Sequence, residues 1–449
     1  MNSQARLPPS PSGHPVIGHA LDFARSPFHF VDRALSECGD LYRMELPGVD
    51  VYVLAHPEYF KQVLSTDIDA FGKTADFQRV FGNGVLSTEG AQWRRQRKIL
   101  QPLFHRDRVN GYGDSMVEAT QRRLATWTQG ETRDIESEMQ DLTLEILFTT
   151  LFGHELSPGE GDELRTASDG LNKWFAPTSW LLPNWVPTPS RREFTNADNR
   201  LRTEIRQLLA EYSDDSDSGG QPDTLHRETL LSKLQEAREA SGEDHLSTEE
   251  IEGQMLTMIF AGYETTAAAL GFAWYSLAMN PDIQQAFHDE LDTVLGGDLP
   301  TSDDIADLEL TNRIVTETLR MYPPVHTIPR QATRDFEIGG YQIPSGEEVH
   351  LSTIAVHRDE RFYDDPMSFR PDRWTTELEE TLHDYAFIPF GGGRRTCIGR
   401  EFARLEATLA LATIGQQWTL SWAGDDTLTI EPEITTQTKN GLPMQVQQR

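Results

Sequence analysis

The sequence predicts a mainly α-helical fold with a smaller β-rich region near the N-terminus, and three observations carry that reading. Helical patterns dominate to about residue 320. One of them, rich in apolar residues, can run unbroken from Ser247 to Asn280. The clear strand signals gather in one early hairpin and in short runs after Pro324.

The elements follow in order. A polar, Pro-rich entry, MNSQARLPPSPSGHPVIGHA, precedes an alternation of apolar and polar residues in Asp40 to Glu45 and Asp50 to Leu54, and Pro47-Gly48 between them completes a hairpin. The stretch Ser213 to Thr224, with paired glycines and a proline, reads as a surface linker between helices. Ser247 and Glu250 have capping-box spacing, so the long helix starts there and continues to Asn280 before Pro281, roughly 45 to 50 Å at the helical rise. A helix of that length must cross the interior. A further helix ends at Met321-Tyr322, because Pro323-Pro324 cannot continue it. A strand-like run at Glu347 to Ser352, a Pro-rich coil from Pro366 to Trp374, and a Gly-rich loop leading into a last apolar helix after Gly399 complete the chain, with a strand-like polar tail. At 449 residues two subdomains around one buried centre, or one large catalytic unit, are expected.

Charge narrows the partners. Asp plus Glu outnumber Lys plus Arg by 71 to 40, a net charge of −31, and only six of those cations are lysines. Nucleic acid is therefore excluded as an expected partner. The acid is spread along the whole chain, a pattern that suits a high-salt, haloarchaeal cytoplasm, where self-repulsion is screened within roughly 3 Å near 1 M salt. No apolar run is long enough for a membrane anchor, and no signal peptide is visible. The two cysteines, Cys38 and Cys397, lie in dissimilar settings, so metal chemistry must rest on one thiolate; Cys38 reads as a packed or partly exposed free thiol.

Phe390-Gly391-Gly392-Gly393-Arg394-Arg395-Thr396-Cys397-Ile398-Gly399 is the most informative segment. Its glycines allow a tight turn with positive φ and the close approach of a flat ligand. Cys397 stands at the mouth of a helix, where free amides and the dipole favour a thiolate, and Arg395 could add a cation or reach a cofactor carboxylate. For an arbitrary lone cysteine a packed thiol is the better reading. Here Phe, Gly, Arg, Cys and Gly at these spacings resemble the heme-binding signature of the cytochromes P450, whose cysteine thiolate ligates the iron.

Weaker segments agree with it in order along the chain. Trp93 and Arg97, four apart on one helical face, resemble the family's WxxxR segment that holds a heme propionate; Arg330 and Arg395 resemble further propionate arginines, with surface ion pairing as the alternative. Glu264 and Thr265 interrupt the apolar long helix. Alone they read as a hydrogen-bonded kink; the resemblance implies a proton supply from Glu264 and a dioxygen-stabilising alcohol in Thr265. Glu317, Arg320 and Arg373 resemble the family's buried Glu-Arg-Arg network, with Asp372 where the family usually has Glu.

The resemblance implies one domain over residues 1–449: a triangular helical prism with a β-rich region of about 1–75 plus 325–360. It implies heme b (iron protoporphyrin IX) as cofactor, Cys397 as metal ligand, and Trp93, Arg97, Arg330, Phe390, Arg395 and Cys397 as cofactor-binding residues. The implied reaction inserts one oxygen atom from O2 into a small hydrophobic substrate, with electrons from a ferredoxin-type donor and its reductase. Arg94, Arg95, Lys98 and Arg394 form a local basic set that could dock such a donor. Pocket segments expected by analogy are Phe77 to Leu86, Trp174 to Trp185, Phe260-Ala261, Val325 to Ile328 and Gly441-Leu442. Their side chains suit a lipid or terpenoid, and the lack of an arginine in Pro47 to Tyr52 tells against a free fatty acid. A peroxide-driven peroxygenase and a non-enzymatic heme sensor are the alternatives; the acid-alcohol pair favours O2 activation.

Overall fold

A computed structural model describes residues 6–156, 160–175, 186–217, 229–425 and 428–449. Helices make up most of it, and the helix Thr248–Met279 forms its axis. Ser247 Oγ accepts the Glu250 amide while Glu250 accepts the Ser247 amide, so the two ends of the capping box satisfy each other's orphan donors. The helix is buried on nearly all sides, which is why its sequence shows no polar stripe. Pro281 starts the next helix, Pro281–Leu295, and closes this one at Met279.

Two glycines let the chain approach this axis closely. A Cβ on Gly84 would lie 2.3 Å from the Gly253 carbonyl oxygen, and one on Gly253 would lie 2.6 Å from the Gly84 nitrogen. The Val85 amide then donates to Gln254 Oε1 at 2.9 Å, pinning residues 83–88 against the long helix. That contact fixes one wall of the cavity described below.

The main sheet has five strands, ordered Leu41–Leu46, Val49–Leu54, Glu348–Leu351, Ile328–Ala332 and Phe71–Gly72. The first two form the expected hairpin around Pro47-Gly48, with Leu41 opposite Leu54 and Leu46 opposite Val49. Only the pairing of Val49–Leu54 with Glu348–Leu351 is parallel in this sheet. Alternation sorts the side chains. Leu41, Tyr52, Leu54, Val349 and Leu351 enter one core, whereas Met44 and Val51 face the helix Pro27–Cys38 and the cavity. Cys38 ends that helix half-buried beside this second face. A separate three-stranded sheet joins Thr132–Asp134, Pro443–Gln448 and Trp418–Trp422, which accounts for the strand-like tail.

One expectation needs correction. Ser213 to Asp217 continue the helix Pro189–Asp217 rather than starting a linker, and residues 218–224 lie outside the described residues. Polar composition marks an exposed segment, but an exposed helix end is as polar as a loop.

Candidate active site

The Gly-rich loop explains its own sequence. Gly391 and Gly393 have φ of 72° and 64°, a region that side chains disfavour, while Gly392 is extended and packed so closely that a Cβ would meet Tyr385 at 2.7 Å. The Cys397 amide donates to the Phe390 carbonyl at 2.9 Å, closing the loop. The helix Arg400–Gln417 then begins, so Cys397 precedes its first turn. The accessible surface of Cys397 lies on the wall of an internal cavity of about 1000 Å³, at the top of the range for ligand pockets.

Burial pushes the Cys397 thiol up; the Gly399 amide and the Arg97 and Arg400 cations pull the other way. The helix mouth alone therefore does not make the thiolate that the sequence suggested. Desolvation of a lone thiol outweighs those aids, and a thiolate here needs a further positive charge against the sulfur.

That cavity gathers most of the expected residues. Trp93, Arg97, Thr265, Arg330, Phe390 and Arg395 all line it with Cys397. Arg97 donates to the Thr396 carbonyl at 2.8 Å, Arg395 donates to the Thr88 carbonyl at 2.8 Å and lies 4.3 Å over the Trp93 ring, and Arg330 donates to the Pro329 carbonyl at 2.8 Å. Lys73, which sequence reasoning missed, joins them. A single lysine without a motif around it gives no signal. Burial lowers the proton affinity of Arg330 and Arg395 to about 10 and that of Lys73 well below its ordinary value; repulsion adds to it, from Arg330 and Arg395 at Lys73, from Arg395 at Arg330, and from Arg394 and Arg97 at Arg395, and Glu89 is the carboxylate that opposes it. One wall thus holds more buried positive than negative charge. Such a wall is stable only beside an anion, and the carboxylates of a bound cofactor would fit it.

Glu317 is fully buried and accepts from four groups. Arg320 binds both its oxygens at 2.8 and 2.9 Å, Arg373 binds Oε1 at 2.9 Å, Trp374 Nε1 binds Oε2 at 2.9 Å, and the Arg370 amide binds Oε1 at 3.0 Å. Arg320 also donates to the His357 carbonyl at 2.8 Å, and His357 Nε2 accepts the Ile388 amide at 3.0 Å, two residues before Phe390. The network therefore reaches the cysteine loop. Asp372 is exposed, 3.7 Å from Arg370, so its shorter carboxylate leaves the network untouched.

The acid-alcohol pair divides. Thr265 faces the cavity and donates to the Ala261 carbonyl at 2.9 Å. Glu264 turns away from it: Oε1 accepts from Asn172 at 3.0 Å and from Gln437 at 2.5 Å, while Oε2 is buried without a partner among the described residues. Burial, aided by Asp169 and Glu433, raises this carboxyl to about 8. The sign follows from linkage. A carboxyl whose folded value lies above its unfolded one favours the folded state fully at acid pH, and that contribution is lost as pH rises towards about 8. Glu264→Gln is accordingly expected to flatten the fall in thermal midpoint between about pH 5 and pH 8 by up to one proton's worth of slope; parallel curves for wild type and variant would contradict the burial account.

Other expectations are redistributed. Phe77, Phe81, Val85, Leu86, Phe260, Ala261 and Val325 to Ile328 line the cavity, as does Phe175. Trp174 instead packs on Phe194, and residues 176–185 lie outside the described residues. Leu442 packs beside Gly271, further along the long helix, and Pro432 to Thr435 take the place expected of Gly441-Leu442. Of the basic set, Arg95 pairs with Glu250, Arg394 with Asp69, and Lys98 with Asp244 at 3.0 Å. A patch of open positive charge is thereby reduced to largely neutralised pairs, because an acidic surface offers carboxylates to every exposed cation.

Comparison with known proteins decides the family. The family model "Cytochrome P450" matches residues 8–443. The chain belongs to the cytochrome P450 family. Cyclooctatin synthase of Streptomyces melanosporofaciens is 35% identical over 419 residues, 91% of this chain and 89% of that protein. Pentalenene oxygenase of Streptomyces avermitilis is 35% identical over 432 residues, 94% and 92% of the two chains. The crystal structure of the cytochrome P450DA heme domain superposes with a TM-score of 0.86 at 27% identity, covering 99% of this chain and 98% of that one. This P450 is accordingly an oxidoreductase of the monooxygenase class with heme b as its cofactor. Among the described residues no helix is long and apolar enough to cross a membrane.

Proposed function

We propose that the protein inserts one oxygen atom from O2 into a small terpene-class substrate, using electrons from a separate ferredoxin-type donor and its reductase. The observation that carries this is the cavity itself, which sets one cysteine sulfur, the Thr265 alcohol and a buried cationic wall around a largely apolar space. Heme b, when bound, supplies the redox and oxygen chemistry.

The chain's own residues have defined tasks in this reading. Cys397 Sγ would hold the iron, whose positive charge would offset the burial that raises the thiol. Lys73, Arg97, Arg330 and Arg395, with the Trp93 indole, would hold the two carboxylates of the cofactor. Thr265 presents a hydroxyl at the cavity wall. Glu264, with a proton affinity near pH 8, keeps a transferable proton on the adjacent residue at neutral pH. The Glu317–Arg320–Arg373 network holds the cysteine loop. The walls at Phe77, Phe81, Phe260 and Val325 exclude water and suit an apolar carbon skeleton. The name of pentalenene oxygenase is one of terpene oxygenation, which supports the same substrate class.

Turnover with a ferredoxin, its reductase and isotope-labelled dioxygen tests the reaction, with a terpene alcohol such as cedrol as the probe substrate. One labelled oxygen per product molecule is expected, and Thr265→Ala should lower product formed per O2 consumed roughly tenfold or more while leaving the heme bound. Product that carries no label, or an unchanged yield in the variant, would contradict this.

The acid-rich surface supports a high-salt cytoplasm as the working environment. The thermal midpoint should therefore rise by several degrees from dilute buffer to molar potassium chloride; equal midpoints would contradict it.

A further inference from the structure

One polar group in the cavity has no task in the mechanism above. His326 follows Pro323-Pro324-Val325 and lines the cavity where it runs along the main sheet towards the β-hairpin. Neither of its ring nitrogens has a hydrogen-bond partner among the described residues, and Nδ1 is sealed against protein. The ring is nevertheless held firmly. Phe28 meets it edge-on with ring centroids 5.5 Å apart, and the His326 carbonyl accepts the Ile354 amide at 3.1 Å.

Burial, reinforced by the neighbouring His350, lowers the imidazole to about 4, so it is neutral at pH 7 and carries a single N–H. The tautomer follows from satisfaction. A sealed N–H without an acceptor costs more than a bare lone pair, so the proton belongs on Nε2, the nitrogen that is not sealed. His350 stands on the same strand as Glu348, and its Nε2 lies 3.2 Å from Glu348 Oε2. That bond commits its N–H to the carboxylate. Alternation along Glu348–Leu351 turns Glu348 and His350 to the cavity and Val349 and Leu351 to the core, so this stretch of wall is polar by construction.

We propose that His326 is a specificity-determining residue whose Nε2–H binds a neutral oxygen, a hydroxyl or a ketone, on the part of the substrate remote from the reacting carbon. The substrate is then a terpenoid that already bears one oxygen, supplied by an earlier oxygenation or hydration, rather than a bare hydrocarbon or a carboxylate. This rests on the monooxygenase reading of the same cavity. A bare hydrocarbon would leave the buried donor unpaired, whereas an alcohol or ketone satisfies it. A neutral imidazole offers no charge to a carboxylate.

Ligand titration of the heme-loaded protein tests it, with cedrene and cedrol and further hydrocarbon–alcohol pairs spanning about ten to twenty carbons. The quantity read is the ratio of hydrocarbon Kd to alcohol Kd, compared between wild type and variant so that differences in ligand hydration cancel. For at least one pair, His326→Leu should reduce that ratio by roughly two- to tenfold, and His326→Gln, which keeps an N–H at similar reach, should restore most of it. If no pair gives a ratio that depends on residue 326, the proposal is overturned. The reduced carbon monoxide complex is recorded on the same samples. Its red-shifted thiolate band must be present in wild type and His326→Leu, and its absence from wild type would defeat the heme-thiolate reading instead.

Discussion

Glu317→Ala is expected to give protein that binds little or no heme and unfolds at a much lower denaturant concentration. The carboxylate is fully buried and neutralises Arg320 and Arg373, which are themselves buried at 0% and 8% exposure. Removing it leaves two guanidinium groups with backbone carbonyls but no counter-charge, and an indole N–H and a backbone amide without an acceptor. Breaking one buried ion pair from one side costs about 3–5 kcal/mol, a large part of the 5–15 kcal/mol that holds a typical domain together. The loss also travels. Arg320 fixes the His357 carbonyl and His357 fixes the Ile388 amide, so the segment that leads into Phe390 and Cys397 loses its anchor. Heme content per chain and the denaturation midpoint are the measurements. Wild-type heme content in Glu317→Ala would show that the loop is held by other means. Glu317→Gln, which keeps the shape and two hydrogen-bonding atoms, should fall between the two.

Much of this architecture was legible because it is written in local chemistry. The capping box at Ser247 and the proline at 281 bound the long helix in both sequence and structure, since caps act through backbone groups a few residues away. The cysteine loop was legible for the same reason: its glycines answer to a turn that spans residues 390 to 397. Side-chain direction was not. Glu264 and Thr265 are consecutive, yet one faces the cavity and the other bonds Asn172 and Gln437, which lie 92 and 173 positions away. Nothing in helical spacing tells which partner a buried acid will find. The ion pairs of Arg95, Lys98 and Arg394 are equally distant in sequence, and so is the arrival of Pro432 to Thr435 at the cavity. His326 was legible only as part of a pocket segment; its lack of a partner is a property of the packed state.

The second large effect is at Cys397. Among the described residues the cavity offers this sulfur alone as a thiolate, since Cys38 is half-buried against the core beside the hairpin, and no group of three or more metal-binding side chains occurs. Cys397→Ala should therefore abolish thiolate ligation completely rather than weaken it, while the buried cationic wall and the Glu317 network remain intact. Any heme retained by the variant would be held through its carboxylates alone. The most direct test is the absorption difference spectrum of the reduced protein with carbon monoxide, recorded in high salt for wild type and Cys397→Ala. A red-shifted Soret band in wild type that disappears in the variant is the predicted result. A wild-type protein without that band, or a band that survives the loss of Cys397, would contradict the account at its centre.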